Sequence, residues 1–175
     1  TAVKQASIYN QAEVLSFLLE QGANCHGIKV NGRTLLGWCA EHGLYEVVKL
    51  LVEKGNADVN ERVSQDFAET LALDEALSNE HFETARYLME HQAKINRPEY
   101  SLLFVADDDL WTCLIKNIEL TQEFVNRYLV CLAKKVGTRL CSCAHYQYIV
   151  KYFTEHQQSG NYQVDLKVCE KNLFS

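Results

Sequence analysis

One sequence grammar recurs along this chain at a nearly fixed interval, and such internal repetition restricts the fold more than any single motif. The clearest copy runs from Asn31 to Asn60. Asn31-Gly32 opens a turn, Thr34 to Ala40 is a short run of small and apolar residues, and Gly43 interrupts it. Tyr45 to Glu53 then carries helical periodicity, Gly55 closes it, and Ala57-Asp58-Val59-Asn60 exits. Glu13 to Asn24 repeats the second half 33 residues upstream, and Glu83 to Asn96 repeats it 37 residues downstream. The surplus of four is one inserted residue, Asn56, and three between Asn60 and Leu71.

Local chemistry supports helix pairs in each copy. Val14, Leu15, Leu18 and Leu19 recur at helical spacing and give one apolar stripe over Ala12 to Gln21. Gly22 and Gly55 stand where a left-handed residue ends a helix at little cost to glycine. Thr34 can accept from free backbone N–H groups as an N-cap, and Asn31-Gly32 predicts a two-residue hairpin turn.

The slots filled here, Gly-x-Thr-x-Leu, a pair of small residues, Glu-Val-Val-x-x-Leu-Leu and Ala-Asp-Val-Asn, resemble an ankyrin repeat, whose period is about 33 residues. The resemblance implies an all-α solenoid of stacked helix-turn-helix pairs carrying short β-hairpin fingers. Three repeats are expected over residues 1–96 (1–30, 31–63 and 64–96). The chain enters inside the first, since Thr1 to Ser7 fits the inner-helix slots, so a fragment of a longer protein is expected. The third inner helix is expected over Thr70 to Asn79 and the third outer helix over Phe82 to His91. Beyond Asn96 the match weakens. Ser101 to Ala106, Asp109 to Ile115, Thr121 to Val136 and Ala144 to Gln157 read as helices, so 97–166 is two diverged repeats or a helical cap, with 167–175 a tail. The family's proline and histidine are replaced by Leu35 and Gly37, and Asp74 stands in the third repeat's histidine slot. In the family the histidine replaced by Gly37 ties adjacent loops together, so its loss puts the rigidity of the second repeat's junction at issue.

Composition narrows the function classes. A net charge of −6 lacks the Lys and Arg surplus that nucleic-acid binding draws on. No apolar run approaches the roughly 18 residues of a membrane helix, so neither nucleic acid nor membrane is an expected partner. The seven cysteines are an odd number at scattered positions, which fits reduced thiols and a cytoplasmic monomer.

The resemblance assigns recognition to the concave groove and finger tips. Trp38 occupies the variable slot of the second inner helix, where Gln5 and Glu75 stand in the neighbouring repeats; contact with a protein partner is expected of it, packing under a finger being the alternative. Arg33, Glu41, His42, Asp66, Phe67, Glu75 and Asn79 are expected to line the same groove or its tips. Catalytic, cofactor and metal residues are not expected. Cys141-x-Cys143-x-His145 lacks a fourth ligand and the usual cysteine spacing for zinc. Asp107-Asp108-Asp109 reads as a helix cap. Tyr148, Ile149, Tyr152 and Phe153 are expected core, and Asn60 and Asn96 are expected turn residues whose hydroxylation is the alternative. Two functions follow: a module that binds a folded protein partner, or the targeting part of a larger enzyme or secreted bacterial effector, resident in the host cytoplasm.

Overall fold

Helices begin where side chains satisfy their first backbone N–H groups. The computed structural model describes residues 1–62, 70–105, 107–116, 118–134, 143–157 and 162–164. Thr1 caps α1 (Ala2–Ile8) by accepting from Lys4 N, and Thr34 caps α3 (Leu35–Glu41) by accepting from Gly37 N at 3.0 Å. A Cβ at residue 37 would stand 3.0 Å from the Thr34 hydroxyl, so glycine in the family's histidine slot keeps that cap relaxed. The third inner helix, α5 (Ala72–Ser78), starts two residues later than expected: Leu71 is its N-cap and Thr70 donates its hydroxyl to Glu75 instead.

Each inner helix turns back into an outer one: α2 (Ala12–Glu20), α4 (Tyr45–Glu53) and α6 (Phe82–Glu90). The turning residue is left-handed every time, at Asn10 (φ 53°), Gly43 (φ 64°) and Glu80 (φ 62°). Gly43 has a second reason to be glycine, because a Cβ there would meet the His81 ring at 2.5 Å. His81 uses that space to bond through Nε2 to the Glu41 carbonyl at 3.0 Å.

The outer helices end left-handed at Gly22 (φ 80°), Asn56 (φ 50°) and Gln92 (φ 63°). In the second repeat the inserted Asn56 therefore takes the position expected of Gly55. Gly55 answers to crowding: a Cβ there would lie 2.6 Å from the Leu51 carbonyl oxygen and 2.8 Å from Cys25 Sγ, whose thiol donates to the Gly55 carbonyl at 3.2 Å.

The first finger pairs β1 (Lys29–Val30) with β2 (Arg33–Thr34), antiparallel, Lys29 opposite Thr34. Positive φ at both Asn31 (50°) and Gly32 (79°) makes its turn the type whose twist matches the strands. Most of the second finger, 63–69, lies outside the described residues.

Packing separates Thr1–Arg97 from Pro98–Ser175 as two units. In the first, inner helices pack on inner (α1 on α3, α3 on α5) and outer on outer (α2 on α4, α4 on α6). Small buried residues, Ala6 and Ser7, Cys39 and Ala40, Ala76 and then Leu77, let the inner helices approach. Leu15, Leu19, Val47, Val48, Leu51, Ala85 and Leu88 fill the space behind them, each large aliphatic contributing about 1.5–3 kcal/mol of burial. Val14 departs from the expected stripe and is 48% exposed.

Exit loops are cross-tied. Asn60 accepts from Lys94 N at 2.8 Å and donates to the Gln92 carbonyl at 3.2 Å, so this asparagine bonds one exit to the next. Arg62 donates to Asn96 Oδ1 at 2.7 Å. Asp74, in the family's histidine slot, supplies a tie of another kind. Its carboxylate accepts from the backbone N–H groups of Leu71 (3.1 Å), Asn96 (2.9 Å) and Arg97 (3.1 Å).

In the second unit α7 (Pro98–Ser101) runs into a 3₁₀ turn, Leu102–Phe104, followed by α8 (Asp108–Ile115), α9 (Gln122–Ala133) and α10 (Cys143–His156). Pro98 suits a first helical position, where no N–H is missed. Asp107 caps α8 by accepting from Leu110 N at 2.7 Å, as the acidic run suggested, and Thr121 caps α9. Trp111 is fully buried and gathers the core: its indole N–H donates to Tyr128 at 2.7 Å, and Tyr148, Tyr152 and Phe153 meet it edge-on. Ile149 and Phe153 are buried as expected, and Tyr148 and Tyr152 are half-buried.

Candidate interaction surface

The second residue slot of interest on each inner helix is set by the repeat register. Gln5, Trp38 and Glu75 share one slot, and Tyr9, His42 and Asn79 share the C-terminal one. Because α1, α3 and α5 lie side by side, these residues form two rows across one face.

Trp38 is half-buried and stacks on His42 with ring centroids 3.9 Å apart and planes 25° from parallel. The His42 Nδ1 also lies 2.9 Å from the Trp38 carbonyl. A carbonyl only accepts, so Nδ1 carries the proton there, and in the neutral ring Nε2 is the acceptor. His42 itself is exposed, so the pair presents a preformed aromatic plate to solvent.

Beside the plate lies an ion-pair cluster. Arg33, from β2, donates through Nε to Glu75 at 2.8 Å and reaches Glu41 at 3.2 Å. The hydrogen bond that Arg33 donates to Glu75 leads in holding the guanidinium above its ordinary range, against the opposing effect of burial and with both carboxylate charges adding to it. Glu75 is only 6% exposed and is engaged by Arg33 and Thr70. It braces the finger to the third inner helix, which leaves little of it open at the groove position expected of it. Arg33 and Glu41 keep part of their surface open. Asn79 is exposed and ties its amide to the Glu75 carbonyl at 2.9 Å. Asp66 and Phe67 lie outside the described residues.

Sequence reasoning missed Tyr9. It is 70% exposed, the most open large apolar side chain among the described residues. Its signal was available, since the 33-residue register puts it in the slot of His42.

Other chemistry is weakly supported. Burial pushes the Cys39 thiol up to about 12 and raises that of Cys25, so neither is an activated nucleophile. Among the described residues no group of three or more His, Cys, Asp and Glu side chains could hold a metal, and no helix is long and apolar enough to cross a membrane. The side chains of Cys141, Cys143 and His145 lie outside that description.

Comparison with known proteins adds one family match and two relatives. The sequence profile described as ankyrin repeats (3 copies) matches residues 3–99. Alpha-latrocrustotoxin-Lt1a of Latrodectus tredecimguttatus is 32% identical over 135 residues, which is 77% of this chain and 8% of that toxin. Alpha-latroinsectotoxin-Lt1a of the same species is 29% identical over 96 residues, 55% of this chain and 6% of the toxin. The chain thus spans less than a tenth of the length of either relative. A 135-residue match cannot be contained in residues 3–99, so the likeness to the first toxin continues past the three profiled repeats.

Proposed function

Since the chain belongs to the ankyrin-repeat family, we propose that it binds a folded protein partner through the face that carries Tyr9, the Trp38–His42 plate and Asn79, with Arg33 and Glu41 at its edge. The observation that carries this reading is the preformed aromatic surface. Aromatic and arginine side chains dominate interface hot spots, and a Trp–His stack held by its own backbone bond is already ordered before a partner arrives. The protein performs no chemistry of its own in this reading.

The face is proposed to end at the third repeat. In the three helix pairs of the first unit the outer helix starts ten residues after the inner (Ala2 and Ala12, Leu35 and Tyr45, Ala72 and Phe82), and the same interval separates the starts of α7 and α8, Pro98 and Asp108. We infer that Pro98–Ile115 is a fourth repeat that has lost its finger. In that register Ser101 takes the slot of Trp38 and Val105 that of His42, and both are buried.

The test compares Trp38→Ala and Tyr9→Ser with a control on an outer helix, Glu83→Ala. Partners captured from a cell extract by the wild-type chain should be lost with the first two variants and kept with the third. Equal capture by all four proteins would refute the assignment of this face.

The length of the two relatives favours a second reading, in which the module is the recognition segment of a much longer toxin-like protein. Cytoplasmic residence, expected from the odd number and scattered positions of the cysteines, belongs to the first reading only.

A further inference from the structure

The geometry points to the chemistry of the partner: the face proposed above takes an arginine side chain, laid against the Trp38–His42 plate with its guanidinium turned to Glu41. This rests on that face being the one used, and it adds what the face recognises.

The open polar atoms of the face are acceptors. The His42 Nδ1 proton is committed to the Trp38 carbonyl, so Nε2 of the neutral ring accepts, on a side chain that is exposed. Asn79 donates its amide N–H to the Glu75 carbonyl, which fixes that end of the group as nitrogen and leaves Oδ1, an acceptor, at the other. Glu41 meets Arg33 through Oε1 at 3.2 Å, while its Oε2 has no closer partner among the described residues than His42 Nδ1, at 3.9 Å. All three residues stand at the C-terminal ends of α3 and α5, which pack side by side. A ligand that satisfies them must be rich in donors.

Charge narrows the class further. Arg33 is shared by Glu41 and Glu75, so one positive charge stands against two negative ones. Glu75 is 6% exposed and engaged by Arg33 and Thr70, so the surplus meets solvent at Glu41, whose side chain is 24% exposed. The net charge of −6 over the whole chain adds a long-range attraction for a basic partner. An acidic or apolar segment would instead strip water from Glu41 and supply nothing in return.

Shape selects among cations. A guanidinium is planar, holds its N–H donors in a fixed fork, is less tightly hydrated than an ammonium and stacks on aromatic rings. The Trp38–His42 stack is a flat support, and Glu41 adjoins His42 in the chain. A guanidinium lying on that support keeps its edge free for the carboxylate, whereas an ammonium, a compact point charge, gains less from a flat plate.

Two tryptophans make the experiment readable, because Trp111 is fully buried in the second unit and serves as an internal reference. The isotope-labelled chain is titrated with a short glycine–arginine peptide and with the same peptide carrying citrulline, which keeps the shape of arginine without its charge. The arginine peptide should move the indole N–H resonance of Trp38 and not that of Trp111, and the citrulline peptide should move neither. Glu41→Gln keeps an acceptor for Arg33 but removes the surplus charge, and should weaken the arginine peptide roughly two- to five-fold. Glu83→Gln, the same change of charge on an outer helix, should leave the titration as it was. An equal response to citrulline, or an effect of Glu83→Gln as large as that of Glu41→Gln, would overturn the inference. So would an arginine peptide that leaves Trp38 unmoved while captured partners are still lost with Trp38→Ala, a result under which the binding face itself stands. Capture that survives Trp38→Ala and Tyr9→Ser removes the face, and this inference with it.

Discussion

Asp74 is the most exacting place to test how this array is held together. Its buried carboxylate accepts from three backbone N–H groups, one at the start of α5 and two in the exit after α6. Hydrogen bonds to a charged acceptor contribute about 1.5–3 kcal/mol each, and a buried donor left unpaired costs about 1–3 kcal/mol. The three share one side chain and are not additive, so Asp74→Ala should destabilise the first unit by roughly 3–5 kcal/mol, a large part of ordinary domain stability. With a urea slope of about 2 kcal/mol per molar, the midpoint should fall by roughly 1.5–2.5 M. Asp74→Asn is the informative companion. One of its two positions becomes an N–H₂ group facing at least one of the same donors, so it should recover only part of the loss. Circular dichroism in urea gives the midpoint, and hydrogen exchange gives the amides of Asn96 and Arg97. A loss within about 1 kcal/mol for Asp74→Ala, or unchanged protection of those two amides, would refute the carboxylate as the tie.

Gly43→Ala forces a Cβ into the His81 ring at a left-handed position, and should cost at least about 2 kcal/mol, measured as a lowered urea midpoint, with the His81 bond to Glu41 lost. Asn60→Ala removes one acceptor and one donor from the link between exits and should cost about 1–2 kcal/mol by the same assay, with faster exchange at Lys94. Tyr87 supplies a pH dependence. Burial first, then the Glu53 carboxylate, pushes its phenol up to about 12, whereas an unfolded tyrosine ionises near 10. The folded state then holds a proton that the unfolded state gives up, so stability should fall as pH rises from about 10 to about 12. Tyr87→Phe should flatten that decline in midpoint against pH, and an unchanged slope would sink the assignment.

The helix pairs, their order and the first finger were legible because they depend on local chemistry: the 33-residue register, Thr34 as a cap, and Asn31-Gly32 as a turn. What escaped depends on who the neighbour is. Periodicity gives Val14 and Val47 the same standing, yet one is open and the other closed, because burial of that slot is decided by the preceding helix. Glu75 looked like a surface residue, but the finger brings Arg33 across a gap of 42 positions to claim it. Asp74 was visible only as a residue standing where histidine is expected, and the three backbone donors that its carboxylate ties were not. Asn56 was read as a surplus, although the left-handed stop of α4 falls on it.

The constant ten-residue offset within pairs, set against uneven offsets between them, says where this architecture accepts change. Inner and outer helices share one buried interface, so a residue added between them would rotate one apolar side away from the other. Fingers and exits carry no such phase. Grafted peptides of varied length should therefore be tolerated at the tips while the same graft at Asn10, Gly43 or Glu80 unravels the pair, which makes the tips the natural ports for engineering new specificity into this scaffold.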